Sequence, residues 1–495
     1  MVTGRLMARA MFHVKHGRGA VTVLAVLGAV ALLPGTVGTA SADTIPAYRM
    51  ADGATAVKGT PGADDAPQLH PGLHTDAIRR GEQKHYAVTL DDRHSAYFSV
   101  VAAPLPGTKV EDYKDELTIS VQNHEGRTCS ADASPTFNGG GMAYPIADYA
   151  TRRIGADRTS CQQAGPYHVV VTRKGAVTSG PGTWPIELDY VNEPLLKGSA
   201  PARPGKGTWS TVAPPAPRTG TTRRTVAGGT GFNDAGSVGP GVWKDHIRPG
   251  ETRFYRVPVD WGQRLNLSAD VSHAPSTSSS RPSASSRPSS PTSPSSPRSA
   301  ASSAFITDAL GLSVYNPARG AVSTDRFVAY RGKQATARKF TAPVDYGNRF
   351  HPSHSVSAMR FAGWYYLEVS LHPDTARYFP DGTDLTLGVD VRGTAKPGPG
   401  YAEPAGIFSV TPEDRETARD GRTAQEAERS GTLTTVGYAG IGTGAALLVG
   451  LGAWTLLARR SASPGPPGRR GGQRDRGEPG QQGEQHQRFG PPQGW

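Results

Sequence analysis

The sequence of 495 residues predicts a mainly β protein, with two tandem antiparallel β-sandwich domains and one C-terminal transmembrane α-helix. Three observations lead to this prediction. One segment recurs at a fixed offset, its residues alternate between apolar and polar with a period of two, and an uncharged stretch near the C-terminus could cross a bilayer. The 61 glycines and 42 prolines are typical of turn-rich β structure joined by unstructured segments.

The N-terminal residues 1–42 have the form of an export signal. Basic residues precede an apolar run over 20–33, and Ala40, Ser41 and Ala42 supply the small side chains that a signal peptidase accepts. We expect cleavage before Asp43, which would leave residues 43–58 as a short N-terminal segment. An uncleaved membrane anchor is the alternative interpretation.

An internal repeat organises the next 350 residues. Residues 65–91 recur as residues 234–260, and the ungapped alignment has identical residues at 12 of its 27 positions. Such self-similarity indicates two copies of one domain, which we place at 59–192 and 227–393. Residues 85–90 and 254–259 alternate with a period of two, as do 96–100 and 265–269, so these segments predict strands with one buried face.

The two cysteines, Cys129 and Cys161, both lie in the first copy. In an exported protein they predict a disulfide. Two free buried thiols are the alternative.

Between and after the copies, composition predicts linkers. Residues 193–226 are rich in Pro, Gly and basic residues and predict a linker, and residues 274–303 predict a disordered Ser/Pro loop inside the second copy. Residues 394–432 predict a juxtamembrane stalk. Within it, Thr411 and Pro412 have the form of a helix start, and we expect a short polar helix that reaches about Arg429.

The membrane prediction rests on residues 433–458, which carry no charge and are long enough to span about 30 Å of hydrocarbon. The basic tail over 459–495 should be disordered and stay in the cytoplasm. The sequence therefore predicts a single-pass type I protein of the cell membrane with its N-terminus outside. Gly440 and Gly444 form a GxxxG pattern that would suit a transmembrane dimer face, although a glycine-rich span without that role is the simpler interpretation.

The order of motifs in each copy resembles a known family. A P-G-E type turn precedes a Tyr-containing strand, followed by segments such as Leu310–Asn316 and Gly363–Val369. This order resembles the bacterial pre-peptidase C-terminal domain, and the whole layout resembles uncharacterised actinobacterial type I membrane proteins. The resemblance implies small β-sandwiches that are non-catalytic and assist binding or secretion.

No catalytic or cofactor-binding motif is recognised, so we predict no catalytic residue, no cofactor and no enzymatic activity. His70 and His74 have the spacing of zinc ligands on a helix, but Pro71 and Gly72 between them favour exposed loop histidines instead. Asp76 and Asp245, with neighbouring acids, could bind calcium at a sandwich edge or could accept turn hydrogen bonds. The net charge of +12 does not predict nucleic-acid binding in an exported chain.

Aromatic residues of the second copy are the remaining candidate site. Trp243, Trp364, Tyr365 and Tyr366 could stack on sugar rings of a cell-wall glycan, although alternation along the strand predicts that Tyr365 or Tyr366 belongs to the core. We therefore expect a non-enzymatic surface protein that binds or scaffolds an extracytoplasmic protein or cell-wall ligand. The alternative is a membrane-anchored hydrolase or an accessory subunit of a secreted peptidase.

Overall fold

A computed structural model describes residues 44–155, 160–198, 215, 223–274, 305–324, 327–423 and 426. The predicted export signal, the predicted membrane span with Gly440 and Gly444, and the predicted tail lie outside these residues, as does most of the predicted Ser/Pro loop. In the described ranges, no helix combines the length and the apolar character needed to cross a bilayer. The chain divides into two units, and the architecture below is that of the second, Ile45–Trp495.

The described part of this unit is mainly β, with several sheets and few helices. The described residues of its N-terminal half form these strands: β1 (Thr55–Ala56), β2 (Gly72–Ile78), β3 (Gln83–Leu90), β4 (His94–Ala102), β5 (Glu116–Asn123), β6 (Ile146–Arg152), β7 (Gly165–Lys174) and β8 (Trp184–Pro194). One sheet has the order β1-β2-β8-β4-β6 and the other the order β3-β7-β5. The β1–β2 pair is parallel and the other pairs are antiparallel.

The described residues of the C-terminal half form a second pair of sheets. Its strands are β9 (Arg223–Thr225), β10 (Gly236–Ser237), β11 (Gly241–Ile247), β12 (Thr252–Val259), β13 (Arg264–Val271), β14 (Ile306–Tyr315), β15 (Ala321–Ser323), β16 (Val328–Tyr330), β17 (Ala335–Phe340), β18 (Gly363–Leu371) and β19 (Thr383–Arg392). The orders are β17-β13-β19-β11-β9 and β10-β12-β18-β14-β15, and β16 pairs with β14. The α-helices are α1 (His354–Ser357) and α2 (Pro412–Asp420), and 3-10 turns cover Tyr346–Phe350, Pro373–Arg377 and Gly406–Phe408.

The sequence repeat corresponds to a repeat of strand topology. β2 and β3 begin and end at the positions that match the ends of β11 and β12. The neighbours β2-β8-β4-β6 of the first half correspond to β11-β19-β13-β17 of the second, and β3-β7-β5 corresponds to β12-β18-β14. Glycines with positive φ, Gly81 at 75° and Gly250 at 83°, make the matching turns, where a residue with a Cβ would be strained.

Alternation along the repeated strands predicted the buried faces correctly. Tyr86, Val88 and Leu90 are buried on β3, and the matching residues of β12 are buried in the same way. In each half, side chains of both sheets join one continuous hydrophobic cluster. Because these clusters exclude water from both sheets of a pair, they are the main source of stability in each half.

The first half buries a second face that alternation did not predict. On β4, Tyr97 and Val101 point away from the core of the first half, yet both are fully buried, and Glu187 and Glu193 of β8 are buried beside them. Residues of the second half cover this face. Val101 joins a cluster with Phe232, Phe254 and Tyr315, and Tyr97 joins another with Phe361 and Phe408.

One buried ion pair between the halves centres on Glu187. Its carboxylate accepts hydrogen bonds from the Tyr48 hydroxyl (3.0 Å), the Ala51 amide (2.7 Å) and the Asn233 side chain (2.9 Å), and it pairs with Arg319. The N-terminal segment therefore runs along the junction and contributes two of the donors.

A second buried ion pair centres on Glu193. Its carboxylate accepts from Arg349 of the second half at 2.7 Å, from the Tyr97 hydroxyl at 2.7 Å and from the Tyr401 hydroxyl at 2.9 Å. Each of the two buried carboxylates therefore accepts several hydrogen bonds. A charge that is removed from water needs such partners, because burying it without them is costly.

The segment predicted as a stalk differs from the prediction over its described residues. Thr411 caps α2 in a capping box with Asp414, and Pro412 is the first helical residue, as predicted. The helix ends at Asp420, before left-handed Gly421, so the predicted end near Arg429 was wrong. Ala418 of α2 and Phe408 are buried, so this part of the segment packs on the second half and is not a free stalk.

The predicted disulfide is confirmed. Cys129 and Cys161 are bonded, with their Cα atoms 5.5 Å apart. The bond joins the loop after β5 to the loop before β7, and both cysteines pack against the hydrophobic cluster of the first half.

Candidate ligand-binding cleft

The structure separates the four aromatic residues proposed for stacking into two pairs. Trp243 and Tyr365 are core residues with 1% and 0% of their surface exposed, and their polar atoms bond to the carbonyls of Gly239 (2.8 Å) and Phe361 (2.7 Å). Neither ring has a face that a sugar could reach, so the stacking prediction was wrong for these two.

Trp364 and Tyr366 point the opposite way from Tyr365, because successive side chains of a strand alternate. Both are half-buried and line a cleft of about 680 Å³ between the two halves. Polar and charged residues share its wall: Asp52, Asp189, Asn233, Arg256, Arg319 and Asp414. Aromatic faces beside hydrogen-bonding groups are the usual chemistry of small-ligand sites.

Two neighbours hold the indole of Trp364. Its Nε1 donates to Asp414 of α2 at 2.9 Å, and Asp414 also accepts from the Thr411 amide in the capping box. The guanidinium of Arg256 lies 4.2 Å from the ring centroid, and Arg256 Nε donates to Ser237. A helix cap, a cation–π contact and a hydrogen bond therefore fix this indole before any ligand arrives.

Tyr366 is held by the apolar floor of the cleft. Its ring meets that of Phe232 edge to face, at 5.1 Å between centroids and an interplanar angle of 83°. The guanidinium of Arg319 lies 5.2 Å from the same Phe232 ring. Phe232 is thus shared between the aromatic wall and the charged wall of the cleft.

The charged wall consists of Asp189 and Arg319. Arg319 Nε lies 3.5 Å from Asp189, while another nitrogen of the same guanidinium serves Glu187. Burial raises the pKa of the Asp189 carboxyl, and the charge of Arg319 pulls it back down. Sequence reasoning missed this pair because Arg319 follows β14 in a turn, where its long-range partners leave no local signature.

The matching aspartates accept hydrogen bonds that stabilise the fold from matching residues of their copies, and Asp76 also pairs with Lys84. Asp76 accepts from the Tyr86 hydroxyl at 2.9 Å and the Gly59 amide at 2.8 Å, and Asp245 accepts from Tyr255 at 2.7 Å and from the amide at position 228 at 2.8 Å. In the part of the chain that the structure describes, no group of three or more His, Cys, Asp or Glu residues could hold a metal ion.

The histidine prediction was wrong for His74. It is 5% exposed on β2, and its Nε2 lies 2.8 Å from the carbonyl of His70. Trp243 holds the matching position of the second copy, and its Nε1 bonds to the carbonyl of the matching residue, Gly239. His74 is therefore a strand residue with a packing role that the two copies share. His351 and His354 are exposed.

The solved structures that are similar to this chain have low sequence identity to it. No protein-family model and no curated protein matches the chain. Among solved structures, it is similar to the pre-peptidase C-terminal domain of a collagenase from Bacillus anthracis, at 14% identity and a TM-score of 0.16, covering 27% of this chain and 100% of that one.

Two further solved structures are similar to the chain at lower identity. The human MASP-1/3 CUB1-EGF-CUB2 fragment shows 7% identity and a TM-score of 0.13, covering 64% of this chain and 99% of that one. The tandem CBM51 modules of a family 98 glycoside hydrolase from Streptococcus pneumoniae show 8% identity and a TM-score of 0.17, covering 65% and 83%. No residue role is transferred from any of these structures.

Proposed function

We propose that this chain is a non-enzymatic, membrane-anchored cell-surface protein that binds a cell-wall glycan in the cleft of Trp364. In this proposal the two pairs of sheets are two tandem β-sandwich domains, displayed outside the cell by the span at 433–458. The observation that carries the binding role is Trp364 itself, a half-buried indole held in place by Asp414 and Arg256 at the edge of a polar cleft.

The chemistry of the cleft supports a sugar more than an apolar ligand. A sugar ring has one apolar face for an aromatic side chain and hydroxyls around its edge for carboxylate, amide and guanidinium groups. Trp364 and Tyr366 supply the aromatic surface, and Asp52, Asn233 and Asp414 are placed along the same cleft for the hydroxyls. Fixed side chains lose little conformational entropy on binding, which favours affinity.

The anchor and the partners belong to the same proposal. In this proposal the predicted export signal and the predicted span would put the N-terminus outside the cell, where the wall glycan is. A dimer through Gly440 and Gly444 would place two clefts on one complex and raise their joint affinity for a polymer. An extracytoplasmic protein as ligand, and a role beside a secreted hydrolase or peptidase, are the competing hypotheses.

The test is a pull-down of the purified full-length chain with purified peptidoglycan and teichoic acids. Wild-type protein should sediment with one of these polymers. Trp364→Ala should weaken binding by about tenfold, because loss of one stacking contact costs on the order of 1 kcal/mol or more. Tyr113→Ala is the matched control, since it removes an aromatic ring that is 54% exposed and outside the cleft.

Three results would contradict the proposal. The first is that the protein sediments with no wall polymer, and the second is that Trp364→Ala and Tyr113→Ala lose the same amount of binding. The third is that the protein hydrolyses the polymer and that this activity disappears when a single nucleophile is substituted. The last result would favour the enzyme hypothesis.

A further inference from the structure

A second cleft between the two halves has a different chemistry from that of Trp364. It has a volume of about 1100 Å³ and is lined by the loop after Cys129, by β6, and by the segment from Arg349 to Arg360. Many hydroxyl groups line its wall, among them those of Ser130, Thr136, Thr151, Ser323, Ser353 and Ser355. The volume exceeds that of a typical small-molecule pocket, so an oligomer fits it better than a single sugar.

Arg360 lines this cleft without an ion-pair partner among the described residues. The residue is only 8% exposed, and Nε donates to the carbonyl of Ser357. Among the described residues, no carboxylate lies within ion-pair distance of it, and its two terminal nitrogens have no hydrogen-bond partner. Those nitrogens are not enclosed by protein either, so they face the cleft.

Among the described residues, none of the other charged side chains of the cleft forms an ion pair with Arg360. Arg349 is paired with Glu193, and Arg153 donates to the carbonyl of Arg349 at 3.0 Å. Asp132 and Asp148 are the acids that line the cleft, and the carboxylate of Asp148 accepts from the amides of Tyr149 (2.8 Å) and Ala321 (3.1 Å). Burial raises the pKa of Asp148, although His354 and Arg360 pull it down.

A largely buried guanidinium whose terminal nitrogens have no hydrogen-bond partner is costly, and its planar fork matches the two oxygens of a carboxylate or phosphate. We propose that this second cleft binds an acidic glycan segment, with a carboxylate or phosphate of the glycan on Arg360 and its hydroxyls on the Ser and Thr side chains of the wall. A glycan fits better than an acidic peptide, because many hydroxyl groups lie beside the apolar side chains of the cleft. The inference does not depend on the Trp364 cleft.

The experiment measures binding of the full-length chain to four probes by calorimetry. These are a short oligogalacturonate, a glycerol-phosphate oligomer, a neutral malto-oligosaccharide of similar length and a poly-glutamate peptide. The first two distinguish carboxylate from phosphate as the oxyanion source. We expect at least one of them to bind, with affinity that falls as salt rises, and we expect the neutral oligosaccharide not to compete at this site.

Arg360→Gln should weaken binding of the acidic oligomer by about tenfold, as expected for loss of a charge-assisted hydrogen bond. Arg338→Gln is the matched control, because it removes the same charge from an exposed position of β17 and should change affinity by less than about twofold. Trp364→Ala should leave this binding intact, so failure of one proposal is distinguishable from failure of the other.

A second pair of variants protects the test against misfolding of Arg360→Gln. Ser353 is exposed at the wall of the cleft, so Ser353→Glu should fold normally and repel an anion, while Ser353→Gln, which removes the same hydroxyl without adding a charge, should lose much less affinity. The proposal is overturned if neither acidic oligomer binds, if poly-glutamate binds as well as they do, or if both Arg360→Gln and Ser353→Glu leave affinity unchanged.

Discussion

Glu368 is a buried acid whose charge has no counterpart among the described residues. It lies on β18 with 2% of its surface exposed, one oxygen accepts from the Tyr315 hydroxyl at 2.7 Å, and the other has no partner. Burial raises the pKa of Glu368 from 4.5 to about 8, against the lowering effect of the Tyr315 hydrogen bond. The carboxyl therefore keeps its proton at neutral pH in the folded protein.

This raised pKa predicts how stability depends on pH. The folded state holds the proton more tightly than the unfolded state, so the contribution of Glu368 is complete below pH 4.5 and is lost as the pH rises through about 8. Glu368→Gln is neutral at every pH and should remove that loss. We expect the variant to be more stable than wild type at pH 8 by a few kcal/mol, and similar to it at pH 4.

Thermal melting of wild type and Glu368→Gln across that pH range measures the effect. Glu416→Gln is the control, because Glu416 is exposed on α2 and should shift the melting temperature little. Parallel pH curves for wild type and Glu368→Gln would show that Glu368 ionises normally in the folded protein.

The same residue shows where sequence reasoning stopped. Trp364, Tyr366 and Glu368 share one face of β18, and a face with a glutamate and two amphipathic rings is expected to meet solvent. The first half covers the glutamate and leaves the tryptophan at a cleft. Nothing within the strand distinguishes these two positions, because the covering residues are more than a hundred positions away.

At the scale of elements, the disulfide holds two loops that no strand pairing joins. The link closes a loop over a sequence separation of 32 residues and so restricts the unfolded chain. The Cys129→Ser/Cys161→Ser variant should lose roughly 2–4 kcal/mol of unfolding free energy, and reductant should destabilise wild type by a similar amount.

Melting with and without reductant tests this expectation, and reductant should leave the double variant unchanged. A thiol titration under non-reducing conditions should find no free thiol in wild type. Two titratable thiols would contradict the bond, and an unchanged melting temperature in the double variant would contradict its contribution to stability.

The helix α2 shows how much of an element local sequence determines. Thr411, Pro412 and Asp414 were sufficient to place its start, because a cap satisfies backbone amides within one turn. Local sequence did not predict where the helix ends or which strand it packs against. Gly421 ends it earlier than predicted, and the bond from Trp364 to Asp414 fixes the helix against a strand that is distant in sequence.

At the scale of the whole molecule, two buried ion pairs join the repeats. Removing one member of a buried pair leaves the other charge without compensation, which costs about 3–5 kcal/mol. Arg349→Met would leave Glu193 with only the hydroxyls of Tyr97 and Tyr401. We expect this variant to lose about that much stability, and to unfold in two calorimetric steps where wild type unfolds in one.

The control is Arg338→Met at an exposed position of β17, which should change stability by less than about 0.5 kcal/mol. Adding Glu193→Gln to Arg349→Met should recover part of the loss, because it removes the uncompensated charge. Equal stability of wild type and Arg349→Met, or two unfolding steps already in wild type, would contradict tight coupling of the halves.

The sequence by itself determined the strands, the duplication, the buried core faces and the disulfide. These features depend on periodicities and identities within short stretches, such as the alternation of Tyr86, Val88 and Leu90 and its copy near Tyr255. It also predicted that Tyr365 or Tyr366 would belong to the core, and the structure shows that this residue is Tyr365.

Only the tertiary structure decided what the outer faces do. Packing of one repeat on the other buries Glu187, Glu193 and Glu368 and leaves two clefts along the junction. The physical reason is that each contact joins residues from distant parts of the chain, while periodicity reports only whether a face is apolar. A polar face that meets a complementary polar face has the same sequence pattern as one that meets water, so the junction could not be read from either repeat alone.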